Sequence, residues 1–315
     1  MKKMLLLCPK FMNYDEILLD YLKDLYVIKY VNTEKYLKPN REKYKRIPII
    51  FRLFLKCFKP IRNIMRENLL SLSDFEFWEE VKEIKNYDII LVINGDGISD
   101  NIYKKIILNN PDAKKYLYIW DDLYLLFKKS HIKYFDKVSS YNIDDCKKIN
   151  ATYQPVFTKK VEVNNYEKKY DISIIATATK ERIKIAKSIY EKYKDKYRFF
   201  IYFYDKNKNF DFFCYEQPLK YSEYQIILAQ SIAILDNGRY KQKGPTTRVF
   251  DTIETKTKVI TTNKNIVKYP VFGTNILIID NKYNIPNKFI KSEYIDKEIT
   301  FTITVDLWLK NVIDL

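Results

Sequence analysis

Glycine is scarce in this chain of 315 residues, which contains only five of them. They are Gly95, Gly97, Gly238, Gly244 and Gly273. A dinucleotide-binding fingerprint needs several glycines close together, for a tight turn and for close approach of the backbone to a pyrophosphate. No segment has that spacing, so the sequence does not predict binding of NAD or FAD.

Histidine and cysteine are scarce as well. The chain has a single histidine, His131, and its cysteines form no pair with the spacing of zinc ligands. We therefore expect no metal site and no cofactor. Scattered cysteines are typical of reduced thiols in the cytoplasm. They are Cys8, Cys57, Cys146 and Cys214.

Long apolar runs are also missing. The first apolar segment, Met4–Cys8, is too short for a signal peptide and predicts a buried strand instead. No run approaches the roughly 20 apolar residues that a membrane-spanning helix needs. We therefore expect a cytoplasmic protein.

Acidic side chains are fewer than basic ones. The chain has 40 Asp and Glu against 56 Lys and Arg, a net charge of +16 at pH 7. Such an excess predicts an anionic partner: nucleic acid, an anionic membrane or phosphorylated small molecules. An AT-rich coding bias also enriches lysine, so part of the charge need not be functional. Because the chain lacks helix-turn-helix, RNP-type and arginine-rich patterns, we expect no nucleic-acid partner.

The segment 46–66 is apolar and basic, with no acidic residue. Phenylalanine and leucine alternate there with lysine and arginine, a composition typical of a helix that lies in a membrane interface. This interpretation predicts peripheral contact with the anionic inner face of the cytoplasmic membrane. The alternative is an ordinary helix that packs on its own sheet and leaves a solvated basic edge.

Apolar strand-like runs alternate with helical patterns along the whole chain. Asp88–Ile93 and Tyr170–Ala176 are two such runs, each followed by turn residues. Nearly continuous apolar strands separated by helices predict parallel sheets with helices on both faces. The pattern weakens between Lys159 and Lys169, where we place a linker. We therefore predict an α/β protein with two Rossmann-like, doubly wound domains, residues 1–160 and 161–315, that face a cleft.

A basic turn follows the predicted strand Ile232–Leu235 and occupies Gln242–Asp251. Pro245 suits the first position of a helix. The next backbone N–H groups would then point outward at the positive end of the helix dipole. Lys243 and Arg248 bracket the turn, which favours a phosphate ligand. The alternative is a basic, well-capped surface helix. The candidate ligands are Gln242, Lys243, Gly244, Thr246, Thr247 and Arg248.

Further polar residues follow the other predicted strands of the second domain. Ligands of doubly wound sheets bind outside the carboxyl ends of the strands, so these residues are candidates for the same site. Arg182 could bind phosphate oxygens through its planar guanidinium, or could be a solvated helix residue. Asp251 could accept sugar hydroxyls, or could stabilise the N-terminus of its own helix. The group comprises Thr177, Thr179, Lys180, Arg182, Tyr204 and Asp251.

In the first domain the strand ends carry carboxylates. Asp121 and Asp122 follow the predicted strand Lys115–Trp120 and are candidates for a base that deprotonates a hydroxyl acceptor. Helix N-capping is the alternative for both. Asp96, which lies between two glycines, is a second candidate base or the tip of a tight turn. His131 lies in a polar neighbourhood and is more typical of an incidental histidine. We select Asp121 and Asp96 as the catalytic candidates.

Three blocks of the second domain carry a resemblance to known proteins: Gln242–Asp251, Lys258–Lys264 and Asn275–Asp280. They resemble a group of bacterial lipopolysaccharide and capsule glycosyltransferases with the GT-B architecture. That group often reads Gln-x-Gly-Leu-Thr-x-Arg-x-Phe-Glu in the first block and Leu-Ile-Thr-Thr-Asn in the second. Two positions depart from the pattern: Ala176 replaces a glycine and Asp251 a glutamate. Shorter fitting blocks are Tyr170–Ile175 with Glu181-Arg182-Ile183, Pro218–Tyr224, Trp120-Asp121, and Phe135–Val138 with Asp145.

The resemblance implies a nucleotide-sugar donor bound by the second domain and a glycan or glycolipid acceptor bound by the first. It adds Tyr221 to the donor-binding candidates. We expect a metal-independent glycosyltransferase with a UDP-linked donor, in which Lys243, Arg248, Arg182 and the turn amides neutralise the leaving diphosphate. Two alternatives are open. One is transfer of another activated group, such as phosphoramidate or polyol phosphate, to capsule sugars. The other is a non-enzymatic protein that binds anions.

Overall fold

The computed structural model describes residues 1–34, 48, 50, 76–95, 98–126, 129–158, 166–238, 242–296 and 303–314. These form two compact units. Unit 1 comprises Met1–Gln154 and Leu309–Leu315, and unit 2 comprises Pro155–Trp308. Each unit contains one six-stranded parallel sheet flanked by helices, which confirms the predicted α/β class with Rossmann-like units.

The sheet of unit 1 has the strand order β2-β1-β3-β4-β5-β6. Its strands are β1 (Lys2–Cys8), β2 (Tyr26–Asn32), β3 (Ile89–Ile93), β4 (Lys114–Ile119), β5 (Lys137–Ser140) and β6 (Thr152–Tyr153). Its helices are α1 (Tyr14–Leu22), α2 (Asp100–Asn109) and α3 (Ile143–Ile149), with a 3-10 turn at Ser130–Tyr134 and helical residues at 76–81. All five residues of β3 are buried, as expected for a central parallel strand that is covered on both faces.

The sheet of unit 2 has the strand order β12-β11-β10-β7-β8-β9. Its strands are β7 (Tyr170–Thr177), β8 (Phe199–Tyr204), β9 (Cys214–Tyr215), β10 (Ser231–Asp236), β11 (Lys258–Thr261) and β12 (Ile276–Ile278). The helices of unit 2 are α4 (Lys180–Tyr193), α5 (Tyr221–Ala229), α6 (Thr247–Glu254) and α7 (Asn287–Lys291), with a 3-10 turn at Lys264–Lys268. Helix α8 (Val305–Ile313) begins in unit 2 and ends in unit 1.

Both faces of the second sheet carry an apolar core. Ile172 and Ile174 of β7 pack into one cluster of buried residues, whereas Ile175 packs into the other with Ile234 of β10. Successive side chains of a strand point to opposite faces, so the apolar run of β7 supplies both cores. This explains why the sequence shows a continuous apolar segment there rather than an alternating one.

The chain reverses direction across the second sheet between β7 and β10. From β7 it continues outward to β8 and β9, and then returns to build β10, β11 and β12 on the other side. The pairing of β7 with β8 extends to Thr177 and Tyr204, but the pairing of β7 with β10 extends only to Ser173 and Ile234. The carboxyl ends of β7 and β10 therefore separate. Such a switch point is where doubly wound sheets bind their ligands.

Several sequence predictions concern residues outside those that the structure describes. The predicted boundary between residues 160 and 161 falls in the gap 159–165, and Asp96 falls in the gap at 96–97. Within the basic segment 46–66 only Pro48 and Ile50 are described, so its membrane contact stays a prediction. No helix in the described ranges has both the length and the apolar composition to cross a bilayer.

Gly95 holds a backbone conformation that other residues adopt only with strain. Its φ is +65°, and an added Cβ would overlap the Tyr103 hydroxyl and lie 3.1 Å from Val92 Cγ1. We predict that Gly95→Ala lowers the free energy of unfolding by about 2 kcal/mol or more. Gly238→Ala is the control, because the nearest atom to its added Cβ would be Gln242 Oε1, at 3.4 Å. Denaturant unfolding measures both; equal losses would contradict the strain at Gly95.

Candidate functional site

Three of the predicted ligands lie exposed at the carboxyl end of β7. Thr177 is the last residue of the strand, and Thr179 and Lys180 begin α4. The Thr179 hydroxyl caps that helix by accepting from the backbone N–H of Arg182 at 3.2 Å. Tyr204, at the end of β8, pairs with Thr177 and is partly exposed. The structure therefore brings these four residues to one edge of the sheet.

Two arginines bridge the separated ends of β7 and β10. Arg248 donates from Nε to the carbonyl of Ile175 at 2.9 Å and from Nη1 to Asp236 Oδ1 at 3.0 Å. Arg182 donates from Nε to the carbonyl of Asn237 at 3.0 Å and from Nη1 to that of Thr177 at 3.3 Å. Alternate carbonyls of a strand point to the same side, so those of residues 175 and 177 both face β10. The two guanidinium groups thus donate to carbonyls of β7 that the hydrogen-bond ladder with β10 no longer reaches, since that ladder ends at Ser173.

This bracing role was not predicted for either arginine. Arg182 is only 8% exposed, and its bonds to Thr177 and Asn237 hold backbone carbonyls. Arg248 directs two of its nitrogens inward, whereas Nη2 takes part in none of these bonds. Phosphate binding by either side chain stays a prediction, and Lys180 and Lys243 are among the exposed cations in the described part of the edge.

Asp236 is the centre of this network, and the sequence reasoning did not select it. Its side chain is 1% exposed and accepts from Arg248 and from the Thr246 hydroxyl, the latter at 2.6 Å. The hydroxyl of Thr261 donates to the Asp236 carbonyl at 2.9 Å. A buried carboxylate needs a cation and hydrogen bonds to remain charged. An aspartate at the end of an apolar strand was the signal available in the sequence.

The basic turn leads into α6 with a different geometry from the predicted one. Helix α6 begins at Thr247 and Thr246 is its N-cap, so Pro245 precedes the cap rather than occupying the first helical position. The Thr246 side chain makes no cap hydrogen bond, because its hydroxyl donates to Asp236. The first amides of α6 are thus left without a side-chain cap at the positive end of the helix dipole.

The rest of the turn is held by a neighbouring loop. Asn263 donates from Nδ2 to the carbonyls of Lys243, at 3.0 Å, and Gly244, at 3.4 Å. Gly244 is buried, Gln242 and Thr247 are partly exposed, and Lys243 is exposed. The turn therefore has a fixed backbone and presents one lysine at its surface.

Asp251 lies deeper than a sugar contact would suggest. It is 4% exposed, and its Oδ2 accepts from the Tyr224 hydroxyl at 3.1 Å. Burial raises the pKa of both Tyr221 and Tyr224, and the negative charge of Asp251 raises the pKa of each further. Both phenols thus remain protonated and can donate hydrogen bonds. A direct contact of Asp251 or Tyr221 with a donor stays a prediction.

In unit 1, Asn94 orients the candidate base Asp121. Asn94 follows β3 in the left-handed conformation, with φ of +63°. Its Nδ2 donates to Asp121 Oδ2 at 2.7 Å, while its Oδ1 accepts from the backbone N–H groups of Trp120, at 3.2 Å, and Asp121, at 3.4 Å. One amide therefore fixes both the backbone and the carboxylate at the end of β4. Asp121 itself is partly exposed.

Asp122, the other carboxylate of this pair, is structural. It is buried, and its Oδ1 accepts from the Tyr141 hydroxyl at 2.7 Å and from Asn142 Nδ2 at 2.5 Å. Asn142 in turn caps α3 through its side-chain oxygen. The two neighbouring aspartates thus have different surroundings: Asp122 is buried among its partners, whereas Asp121 is partly exposed.

His131 is buried and contacts the backbone of Asn94. The histidine is 1% exposed, stacks on Tyr103 with ring centroids 5.6 Å apart, and places Nε2 3.2 Å from the Asn94 carbonyl oxygen. Since a carbonyl only accepts, Nε2 carries the proton. Burial lowers the pKa of His131, which keeps the imidazole neutral.

Comparison of the chain with protein-family models finds no match, and comparison with curated proteins finds none either. In the described part of the chain, no three His, Cys, Asp or Glu side chains are grouped as metal ligands. The fold and the two strand-end clusters define an α/β protein with two doubly wound units.

We predict that Arg248→Met lowers the free energy of unfolding by about 3 kcal/mol, because it leaves the buried Asp236 carboxylate without its cation. Adding Asp236→Asn should recover much of the loss, since no buried charge then remains. Arg198→Met is the matched control, because Arg198 and Asp171 form an ion pair whose arginine is 62% exposed. Its effect should be much smaller. Urea unfolding of the set decides; additive losses in the double variant would contradict the pairing.

The single histidine predicts a specific pH dependence of stability. The unfolded chain protonates His131 near the usual pKa of about 6.5, whereas the folded protein does so only at lower pH. Between these values the unfolded state binds more protons, so the free energy of unfolding falls as the pH falls. Lowering the pH from about 7.5 to about 5.5 should therefore decrease the free energy of unfolding more for the wild type than for His131→Gln. The difference should be at most about 1.4 kcal/mol per pH unit, and urea unfolding at each pH measures it. Equal slopes would contradict a buried neutral imidazole.

Proposed function

We propose that this protein is a glycosyltransferase that moves a sugar from a nucleotide-sugar donor to a glycan acceptor. The observation that carries the proposal is the switch point of unit 2, where the uncapped start of α6 lies at the separated ends of β7 and β10. The sequence resemblance to lipopolysaccharide and capsule glycosyltransferases supplies the reaction class and the cell-surface acceptor. The GT-B architecture and a UDP-linked donor belong to the proposal.

The switch point of unit 2 suits a diphosphate. The first amides of α6 offer hydrogen bonds and a positive dipole end, which favour a negative group. Lys180 and Lys243 add exposed positive charge at the same edge. Arg248 supports the site indirectly, since it anchors the first turn of α6 to β7 through the Ile175 carbonyl. Charge that develops on the leaving diphosphate would be stabilised by these fixed groups without a metal ion.

Unit 1 offers the base that the transfer needs. In glycosyl transfer the acceptor hydroxyl oxygen forms a bond to the anomeric carbon, the bond from that carbon to the diphosphate oxygen breaks, and the hydroxyl proton goes to a base. Asp121 is partly exposed and oriented by Asn94, so its carboxylate is available for that proton. Asp96 remains the second candidate from the sequence.

A nucleotide screen tests the donor site. We expect one of UDP, GDP, CMP, CDP and ADP to stabilise the protein against heat, by about 2.7 kcal/mol at a concentration 100 times its dissociation constant. Lys243→Ala should weaken that binding about tenfold. Lys187→Ala is the control, since Lys187 is exposed on α4 about two turns beyond Lys180.

The outcome of the screen discriminates between the hypotheses. Absence of stabilisation by every nucleotide would contradict the proposal, and equal weakening by both lysine variants would remove the turn from the site. Stabilisation by cytidine nucleotides alone would favour transfer of another activated group. With the stabilising donor identified, Asp121→Asn should lower sugar transfer about 100-fold or more while nucleotide stabilisation is unchanged.

A further inference from the structure

An exposed aromatic side chain packs against Trp120, the residue that precedes the candidate base Asp121. Phe11 lies in the loop after β1 and is 46% exposed. The two residues after it, Met12 and Asn13, have φ of +44° and +61°. Such left-handed conformations are uncommon for residues other than glycine and persist where the surroundings demand them. The loop is closed by a hydrogen bond of 3.0 Å from the Tyr14 N–H to the Phe11 carbonyl.

Phe11 belongs to a fixed set of three rings. Its centroid lies 5.7 Å from that of Trp120, and the ring planes are inclined by 56°. Tyr14 packs behind both, with its centroid 6.5 Å from Trp120 and 6.4 Å from Phe11. Tyr14 is buried, Trp120 is partly exposed and Phe11 is the most exposed of the three. The two outer rings therefore form a supported aromatic surface, which we call the Phe11–Trp120 platform.

Carboxylates outnumber cations among the residues that lie next to the platform in the sequence. Asp121 directly follows Trp120, and its Oδ2 is held by Asn94 while Oδ1 takes no part in that bond. A carboxylate oxygen accepts hydrogen bonds from hydroxyl groups. The charged residues of the loop and the first turn of α1 are Lys10 and Glu16, which pair with each other at 3.3 Å, and Asp15, which is buried. The surroundings thus favour a neutral ligand with hydroxyl groups over an anionic one.

We propose that the Phe11–Trp120 platform binds the pyranose ring of a neutral saccharide, with a ring hydroxyl donating to Asp121. The C–H face of a sugar is apolar and slightly positive, and aromatic faces carry negative charge density. Binding sites are commonly lined by aromatic side chains with a few polar groups that fix orientation. Only the assignment of this saccharide as the acceptor rests on the proposed function; the binding itself does not.

Fluorine NMR can test the platform without any enzyme assay. The chain has three tryptophans, so protein labelled with 5-fluorotryptophan gives three signals, and Trp120→Phe assigns the one from the platform. Titration with methyl glycosides of common neutral hexoses should move the Trp120 signal saturably and leave those of Trp78 and Trp308 in place. Phe11→Ala should weaken the binding about tenfold, and Phe11→Tyr should keep it.

Matched controls make the result decisive. Phe213→Ala removes a phenylalanine of similar exposure, 39%, from unit 2 and should leave the titration unchanged. An unmoved Trp78 signal in Phe11→Ala shows that unit 1, which contains both residues, remains folded. No saturable shift with any glycoside would overturn the proposal. So would an unchanged affinity in Phe11→Ala, or a response of Trp120 to anionic phospholipid vesicles but not to glycosides.

The test separates this inference from the proposed function. A Trp120 response without nucleotide stabilisation would support a saccharide-binding platform and contradict the transferase. Nucleotide stabilisation without a Trp120 response would keep the donor site and overturn the platform.

Discussion

The ion pair between Arg248 and Asp236 holds together the candidate binding edge of unit 2. Parallel strands that separate at a switch point lose the hydrogen bonds that would otherwise satisfy their carbonyls, and buried carbonyls need donors. Arg248 donates one such bond to the Ile175 carbonyl, and its Nη1 pairs with the buried Asp236 carboxylate at 3.0 Å. Asp236 in turn takes the Thr246 hydroxyl, which leaves the start of α6 without a side-chain cap. The absence of a Thr246 side-chain cap at the start of α6 is thus a consequence of how the sheet is braced.

In unit 1 the strand ends are held in place by a neutral side chain, that of Asn94, rather than by an arginine. Asn94 uses its amide to bind the backbone of β4 and the carboxylate of Asp121, and His131 holds the Asn94 carbonyl from the core. The left-handed turn at Asn94 and Gly95 makes this possible, because it directs the asparagine side chain across to the neighbouring strand. In each unit, therefore, a buried side chain orients the groups at the strand ends: Asp236 holds Thr246 in unit 2, and His131 contacts Asn94, which holds Asp121, in unit 1.

The sequence predicted the sheets well because continuous apolar runs such as those of β3 and β7 are strong local signals. It also predicted which residues lie at the strand ends, since Thr177 directly follows the apolar run of β7 and Asp121 follows the predicted strand Lys115–Trp120. It could not predict what the arginines contact. The partners of Arg248 and Arg182 depend on where β7 and β10 stop pairing, which is a long-range property of the sheet. The two-residue strands β6 and β9 carry too few residues for any periodic pattern. Pro245 precedes the N-cap of α6 rather than occupying its first position, and the Thr246 hydroxyl bonds to Asp236.

The bracing contacts of Arg248 differ greatly in their distance along the chain, and this has a consequence for the order of folding. Asp236 is 12 residues from Arg248, whereas Ile175 is 73 residues away. Closing a short loop costs less chain entropy than closing a long one, so contacts between near neighbours form first. The ion pair can therefore form within the segment that comprises β10, the basic turn and α6, before that segment docks on β7. The guanidinium would then reach the Ile175 carbonyl already oriented by its carboxylate, so this edge of the sheet is braced only when β10 and α6 dock on β7.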